Sequence, residues 1–217
     1  DNTKLMSETP QLSAARPDLR ERYFFALDTA IRAGRILNRA FHGSVRVRYK
    51  SAVDPVTDAD LESEKYITAA LNKRFASDNV IAEELSGDGE TGEVFWLIDP
   101  LDGTVNFSHG LPWFAVSIAC VMDGETVLGV VHAPVTGWTF SAAKGQGAWL
   151  NGAPIHVSQT QTLRRSIVAT GFPYDRVETR RNIVEHERVL LAVQDVRRMG
   201  SAAIDICMTA RSEERRV

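Results

Sequence analysis

Trp96-Leu97-Ile98-Asp99-Pro100-Leu101-Asp102-Gly103-Thr104-Val105-Asn106-Phe107 is the stretch whose reading decides how the rest of this chain is understood. Val94 to Ile98 is a short apolar run, rich in strand formers and too short for a typical helix, so it reads as a buried strand. The run ends in Asp-Pro-Leu-Asp-Gly-Thr. Pro100 fixes its own φ and removes a backbone donor, so the ladder is expected to stop there, and Gly103 permits a sharp turn. Two carboxylates three positions apart, on a turn at the end of a buried strand, point into one small volume. Like charges held that close are unfavourable unless a cation sits between them, which points to a hard, oxygen-preferring metal. The turn is expected to leave the Leu101 carbonyl free as a further oxygen ligand. Asp-Pro and Asp-Gly taken singly are ordinary turn formers, so the whole string carries the reading.

Upstream, residues to Pro17 are polar and aperiodic and read as disordered, with Met6 as the natural beginning. From Asp18 to Phe41 residues recur at helical spacing along one stripe (Leu19, Tyr23, Phe24, Leu27, Ile31, Gly34, Leu37, Phe41), and Gly43 ends that helix. Val45 to Tyr49 alternates as a half-exposed strand. Asp54-Pro55-Val56-Thr57-Asp58-Ala59-Asp60 then leads into a helix carrying Leu61, Ile67, Leu71 and Phe75, with Thr57 or Asp58 as N-cap. Capping accounts for Asp58 and leaves Asp60 unexplained. Asn79 to Glu84 is a short strand ending in the carboxylates Glu83 and Glu84, and Ser86 to Thr91 is a glycine-rich loop read as mobile.

Downstream, Phe114–Met122, Thr126–His132, Trp138–Ala142 and Ala148–Leu150 read as a meander, turning at Asp123-Gly124, Lys144 to Gly147 and Asn151-Gly152. Trp113, Trp138, Phe140 and Trp149 are core or sheet-face aromatics. Ser166–Thr170 is a strand, Arg180–Gln194 a helix and Asp195–Met199 a short strand. Gly200-Ser201-Ala202-Ala203 opens a last helix, whose N-terminus suits a phosphate or hydroxyl as readily as close helix packing.

The chain has 217 residues, 44% apolar and 24% charged, with a net charge of −3, which suits a soluble globular protein and gives no reason to expect nucleic acid. No apolar run spans a bilayer and no signal peptide is visible, so a cytoplasmic location is expected. Cys120 and Cys207 lie among apolar residues and read as reduced thiols. His42, His109, His132, His156 and His186 lack a ligand spacing.

Asp-Pro-Leu-Asp-Gly-Thr-Val-Asn-Phe after an apolar strand closely resembles the metal-binding signature of the inositol monophosphatase family of magnesium-dependent phosphatases. The likeness extends from about Arg22 to Ala210, including Arg198-Met199-Gly200-Ser201-Ala202-Ala203 on the substrate side. It implies an α/β sandwich of alternating α-β-α-β-α layers, with an antiparallel sheet region followed by an incomplete α/β region, in a homodimer. It also implies a Mg²⁺ set of Glu83, Asp99, the Leu101 carbonyl and Asp102, with Asp99 bridging to a second metal that also uses Asp102. Asp60 and Thr104 would hold and deprotonate the attacking water, and the amides of Gly103 and Thr104 would take the phosphate. Asp102 and Ala202 would complete the substrate side. The reaction implied is hydrolysis of inositol monophosphate or a similar small phosphorylated polyol.

Related substrates in the family are histidinol phosphate, sugar bisphosphates and 3′-phosphoadenosine nucleotides, and some bacterial relatives bind the transcription machinery. The family's later glutamate and its Trp-Asp-x-Ala-Ala-Gly motif do not occur in this sequence, where Arg211 to Val217 is polar and unlike the family. This departure predicts an intact first metal site, a second metal short of one carboxylate and reduced hydrolysis. A non-catalytic interaction protein is the alternative in a different class.

Overall fold

The computed structural model describes residues 17–43, 47–51, 54–82, 92–172 and 183–211. Helix α1 spans Pro17–Phe41 and α2 spans Asp58–Arg74, with a two-stranded antiparallel ribbon between them, β1 (Val47–Ser51) and β2 (Asp54–Thr57). A seven-stranded sheet follows: β3 (Asn79–Ala82), β4 (Val94–Asp102), β5 (Ala115–Met122), β6 (Glu125–Ala133), β7 (Trp138–Ala143), β8 (Gly147–Leu150) and β9 (Ala153–Ile155). Its strands lie in sequence order, antiparallel except for the parallel pair β3–β4. The short helix α3 (Thr104–Ser108) follows β4 directly. A parallel pair, β10 (Ile167–Ala169) and β11 (Asp195–Arg197), is joined through α4 (Ile183–Ala192), and α5 (Ala202–Arg211) comes last. This is a layered α/β sandwich, as the sequence implied. The expected segments at Glu83-Glu84, Ser86–Thr91 and residues 1–16 lie outside the described residues.

Period-two alternation builds the core. Val116, Ile118 and Cys120 of β5 and Leu128 and Val130 of β6 form one buried cluster with Tyr23, Leu27 and Leu37 of α1 and Ile67 and Leu71 of α2; α1 packs on β5 and β6, and α2 on β4. Apolar side chains buried to this extent contribute about 1.5–3 kcal/mol each. The inward face of α1 is built largely from small residues, Ala26, Ala30, Ala33 and Gly34, whereas Phe24 and Ile31 of the expected apolar stripe are only partly buried. Small residues let the helix come close to the sheet: a Cβ at Gly34 would lie 2.3 Å from the His132 ring. A smaller cluster on the other sheet face joins Ala115 and Ala133 to Ile204 of α5.

The Asp123-Gly124 and Asn151-Gly152 turns have φ of +53°, +76°, +50° and +82°, the left-handed pairs that match the twist of a two-residue hairpin. The second turn adds β9, a strand not anticipated. Asp78, 7% exposed, ties helix to sheet: Arg22 Nη2 donates to both its carboxylate oxygens at 3.0 and 2.9 Å, and Trp96 Nε1 donates at 3.0 Å. The Arg22 guanidinium also lies over the Phe75 ring, 4.5 Å from its centroid.

His132 is buried beside Gly34, its Nδ1 hydrogen-bonded with Thr139 Oγ1 at 2.9 Å. Burial pushes its pKa down to about 4. Because the unfolded chain binds a proton near pH 6.5 that the folded chain refuses, this contribution to stability is complete above pH 6.5. It is lost as pH falls toward about 4, by about 3 kcal/mol in all. Urea denaturation across that window should show the wild type losing more stability than His132→Gln. Equal slopes would contradict the assignment.

Candidate active site

The β4–β5 ladder carries the central geometry. Asp99 pairs with Ser117 and Asp102 pairs with Ala115, so three steps on β4 face two on β5. In an unbroken strand residues three apart point to opposite faces. The extra residue of this bulge restores the phase and puts Asp99 and Asp102 on one face. Pro100 therefore does not stop the ladder, as expected from its missing donor. It sits in the bulge, and pairing resumes at Asp102. Nearby groups satisfy the bulge backbone: the Ser63 hydroxyl donates to the Pro100 carbonyl at 3.0 Å, and Leu101 N–H donates to Asp99 Oδ1 at 3.1 Å. The Leu101 carbonyl, expected to be free as a ligand, has Thr104 Oγ1 within donating distance at 2.9 Å and keeps a second lone pair in either case.

Asp60 comes from the start of α2. Thr57 is the N-cap, its hydroxyl accepting from Ala59 N–H and Asp60 N–H, while Asp60 Oδ2 accepts from Thr57 N–H at 2.8 Å and Thr57 Oγ1 at 2.5 Å. This reciprocal capping box corrects the expectation that capping concerns Asp58 and leaves Asp60 unexplained. Asp58 is exposed, and Asp60, 1% exposed, serves the cap with one oxygen. Its other oxygen, Oδ1, accepts from Thr104 Oγ1 at 3.1 Å. The Thr104 hydroxyl has one proton and two acceptors in reach, Asp60 Oδ1 and the Leu101 carbonyl.

Asp102 meets the last helix. Its Oδ2 accepts from the Ser201 hydroxyl and from Ala203 N–H at 2.9 Å, and its Oδ1 from Ala202 N–H at 3.3 Å. Ser201 Oγ also accepts from Ile204 N–H at 3.3 Å, so a serine N-cap and an aspartate share the terminus. A side chain of β4 thus supplies an anion at the start of α5, where the sequence left a phosphate or hydroxyl and close helix packing as alternatives. Gly103, with φ +92°, makes the turn between Asp102 and Thr104, and a Cβ there would lie 2.9 Å from the Trp113 carbonyl.

Asp99, Leu101, Asp102, Gly103 and Thr104 line a cavity of about 460 Å³. Thr170, Arg198, Ala202, Asp205 and Thr209 line it too. Burial pushes the Asp205 carboxyl above the ordinary aspartate range. Asp205 was not singled out in the sequence, yet Ala202, Asp205, Ile206 and Thr209 follow helical spacing, the signal by which this wall could have been found.

Of the predicted metal set, Asp99, the Leu101 carbonyl and Asp102 sit together at the bulge, and Glu83 lies outside the described residues. Among the described residues no group of three or more His, Cys, Asp or Glu is placed to hold a metal. The donors that do converge are carboxylate, carbonyl and hydroxyl oxygens. That chemistry fits Mg²⁺ and does not suit a soft, thiolate-bound ion.

The inositol monophosphatase family model matches residues 18–214. The chain is 38% identical over 193 residues to the Nus factor SuhB of Pseudomonas aeruginosa, covering 85% of this chain and 71% of that protein. It is 38% identical over 191 residues to inositol monophosphatase 1 of Solanum lycopersicum, covering 85% and 70% respectively. Among solved structures, an inositol monophosphatase (IMPase) of Thermotoga maritima superposes with a TM-score of 0.80 at 35% identity, over 88% of this chain and 73% of that one. The suhB protein of Bartonella henselae gives 0.81 at 34%, over 87% and 74%. A bulge that turns two aspartates to one face, backed by a threonine within hydrogen-bond distance of a buried aspartate, thus stands on a fold shared with these proteins. The chain belongs to the inositol monophosphatase family.

Thr104→Val removes a donor from Asp60 and should cost about 1–3 kcal/mol of stability in urea denaturation, whereas Thr104→Ser should cost less. Equal stability of Thr104→Val and wild type would rule out the Thr104–Asp60 bond.

Proposed function

We propose that this protein hydrolyses phosphate monoesters of small polyols, inositol monophosphate first among them, by attack of a water held at Thr104. The observation that carries the reading is the Asp60–Thr104 pair, 3.1 Å apart, beside a bulge that presents Asp99 and Asp102 on one face. Glu83, Asp99, the Leu101 carbonyl and Asp102 are the proposed ligands of Mg²⁺. When bound, the ion would neutralise charge building on the phosphoryl oxygens and acidify a nearby water.

The chain's own groups do the rest. When Thr104 Oγ1 donates to Asp60 Oδ1, its lone pairs are open to accept a hydrogen bond from water. The water proton would pass to Thr104 Oγ1 as the threonine proton passes to Asp60 Oδ1. The hydroxide would form the new P–O bond as the ester P–O bond breaks, the polyol oxygen leaving with a proton from solvent. Burial of Asp60 and its two bonds from Thr57 hold its second oxygen in place, so only Oδ1 faces the threonine. The amides at Gly103 and Thr104 are the proposed phosphate donors, and Ala202 with Asp102 the groups beside the polyol. No covalent enzyme intermediate is required. The relatives named inositol monophosphatase support the polyol ester over histidinol phosphate, sugar bisphosphates or phosphoadenosine nucleotides. A homodimer in the cytoplasm is the proposed setting; no described helix is long and apolar enough to cross a membrane.

A second reading, a binding protein, is favoured by the similarity to proteins named Nus factor SuhB. One experiment separates the two. Phosphate release from D-myo-inositol 1-phosphate, followed as Mg²⁺ is titrated from zero, should rise with metal and fall by at least about a hundredfold in Asp99→Asn. Metal-independent release, or release unchanged in Asp99→Asn, would overturn the mechanism. No release from folded protein would favour the binding role.

A further inference from the structure

We infer that Asn106 is a positioning residue whose buried side-chain amide holds the start of α5 in register with Asp102. Asn106 is 5% exposed and touches neither metal donors nor the Asp60–Thr104 pair through any hydrogen bond seen here. Its Nδ2 donates to the Trp113 carbonyl at 2.7 Å and to the Met199 carbonyl at 2.8 Å. Both partners are pure acceptors, so the nitrogen and not the oxygen must face them.

The segments around this amide are packed so closely that two of them require glycine. Gly200, with φ +87°, lies against it: a Cβ there would come within 2.9 Å of Nδ2 and 3.0 Å of Oδ1. A Cβ at Gly103 would lie 2.9 Å from the Trp113 carbonyl and 3.3 Å from the Gly200 carbonyl. One amide therefore joins α3, the loop before β5 and the segment before α5, which are far apart in sequence. Met199 is two residues before Ser201, the first of the three residues that donate to Asp102. Asn106 sets the backbone at 199–200, that backbone sets Ser201 to Ala203, and those donors set the rotamer of Asp102. The effect on turnover rests on the proposed phosphatase activity, whereas the clamp itself does not.

The diagnostic variant is Asn106→Asp, nearly the same in shape, which places an anionic oxygen against two carbonyl oxygens. Residue-resolved amide hydrogen exchange on the full chain reads the result without any need for activity. Exchange at Ala202 and Ala203 should rise roughly tenfold or more while the amides of β5 and β6 keep their protection. In an Asp102→Asn background, which already weakens the pairing at that terminus, Asn106→Asp should add little further, as expected of residues acting through one contact. If the protein hydrolyses inositol 1-phosphate, Asn106→Asp should also raise the Mg²⁺ concentration needed for half-maximal rate; if it does not, the exchange result still decides the clamp.

Unchanged exchange at Ala202 and Ala203, or additive effects with Asp102→Asn, would overturn the inference. Should Asn106→Asp lose protection throughout the sheet, Gly200→Ala tests the contact from its other side. The same local rise at Ala202 and Ala203 in that variant supports the clamp. Loss of protection throughout the sheet in both variants would overturn it, because Asn106 would then support the fold as a whole.

Discussion

Three steps along β4 are matched by two along β5, and the proposed chemistry depends on that mismatch. A strand that alternates perfectly cannot put residues 99 and 102 on the same side. The bulge shifts the phase once, within one ladder step, and pairing resumes at Asp102. The neighbours are arranged around this irregularity: Ser63 satisfies the Pro100 carbonyl, Asp99 accepts from the Leu101 amide, and the Thr104 hydroxyl stands within reach of the Leu101 carbonyl. A backbone that leaves the ladder in a buried place has to find partners elsewhere, and here two of the three, Asp99 and Thr104, are side chains proposed to act in hydrolysis.

Asp60 and Asp102 share a logic. Each is held at the N-terminus of a helix, Asp60 in the capping box of α2 and Asp102 against the first amides of α5. A helix N-terminus favours negative charge and supplies directed donors, so both carboxylates are oriented by the scaffold itself. The inward face of α2 continues the arrangement, with Asp60, Ser63 and Glu64 buried near the site and Ile67 and Leu71 buried beyond. A single helix face thus changes from polar to apolar along its length.

Much of this was legible in the sequence, for physical reasons that can be named. The meander was readable because Asp123-Gly124 and Asn151-Gly152 demand positive φ and strong alternation flanks them. That Asp99 and Asp102 come to one face was readable because two carboxylates three positions apart stood on a turn at the end of a buried strand. What Pro100 does was misread, because proline's missing donor signals a break, and only the partner strand decides between a stop and a bulge. Asp60 was credited with too little in the cap because the box depends on φ and ψ at Thr57 as well as on spacing. The pairing of Asp102 with α5 was hidden, since nothing local links residues a hundred apart. The small-residue face of α1 was obscured too: alanines carry little weight in a periodicity count, yet they let the sheet come close.

The wide separation along the chain between Asp102 and α5 bears on how the molecule assembles. The strands β4 to β9 follow one another as neighbours, so each needs only a modest loop to close before its ladder forms. The contacts at α5 bring together residues 99 to 101 positions apart and reward the chain only after that long loop has closed. The sheet can therefore mature first, leaving the docking of α5 as a late event. The same order run backwards makes α5 an element able to detach while the sheet persists, so that the site is lost before the fold is.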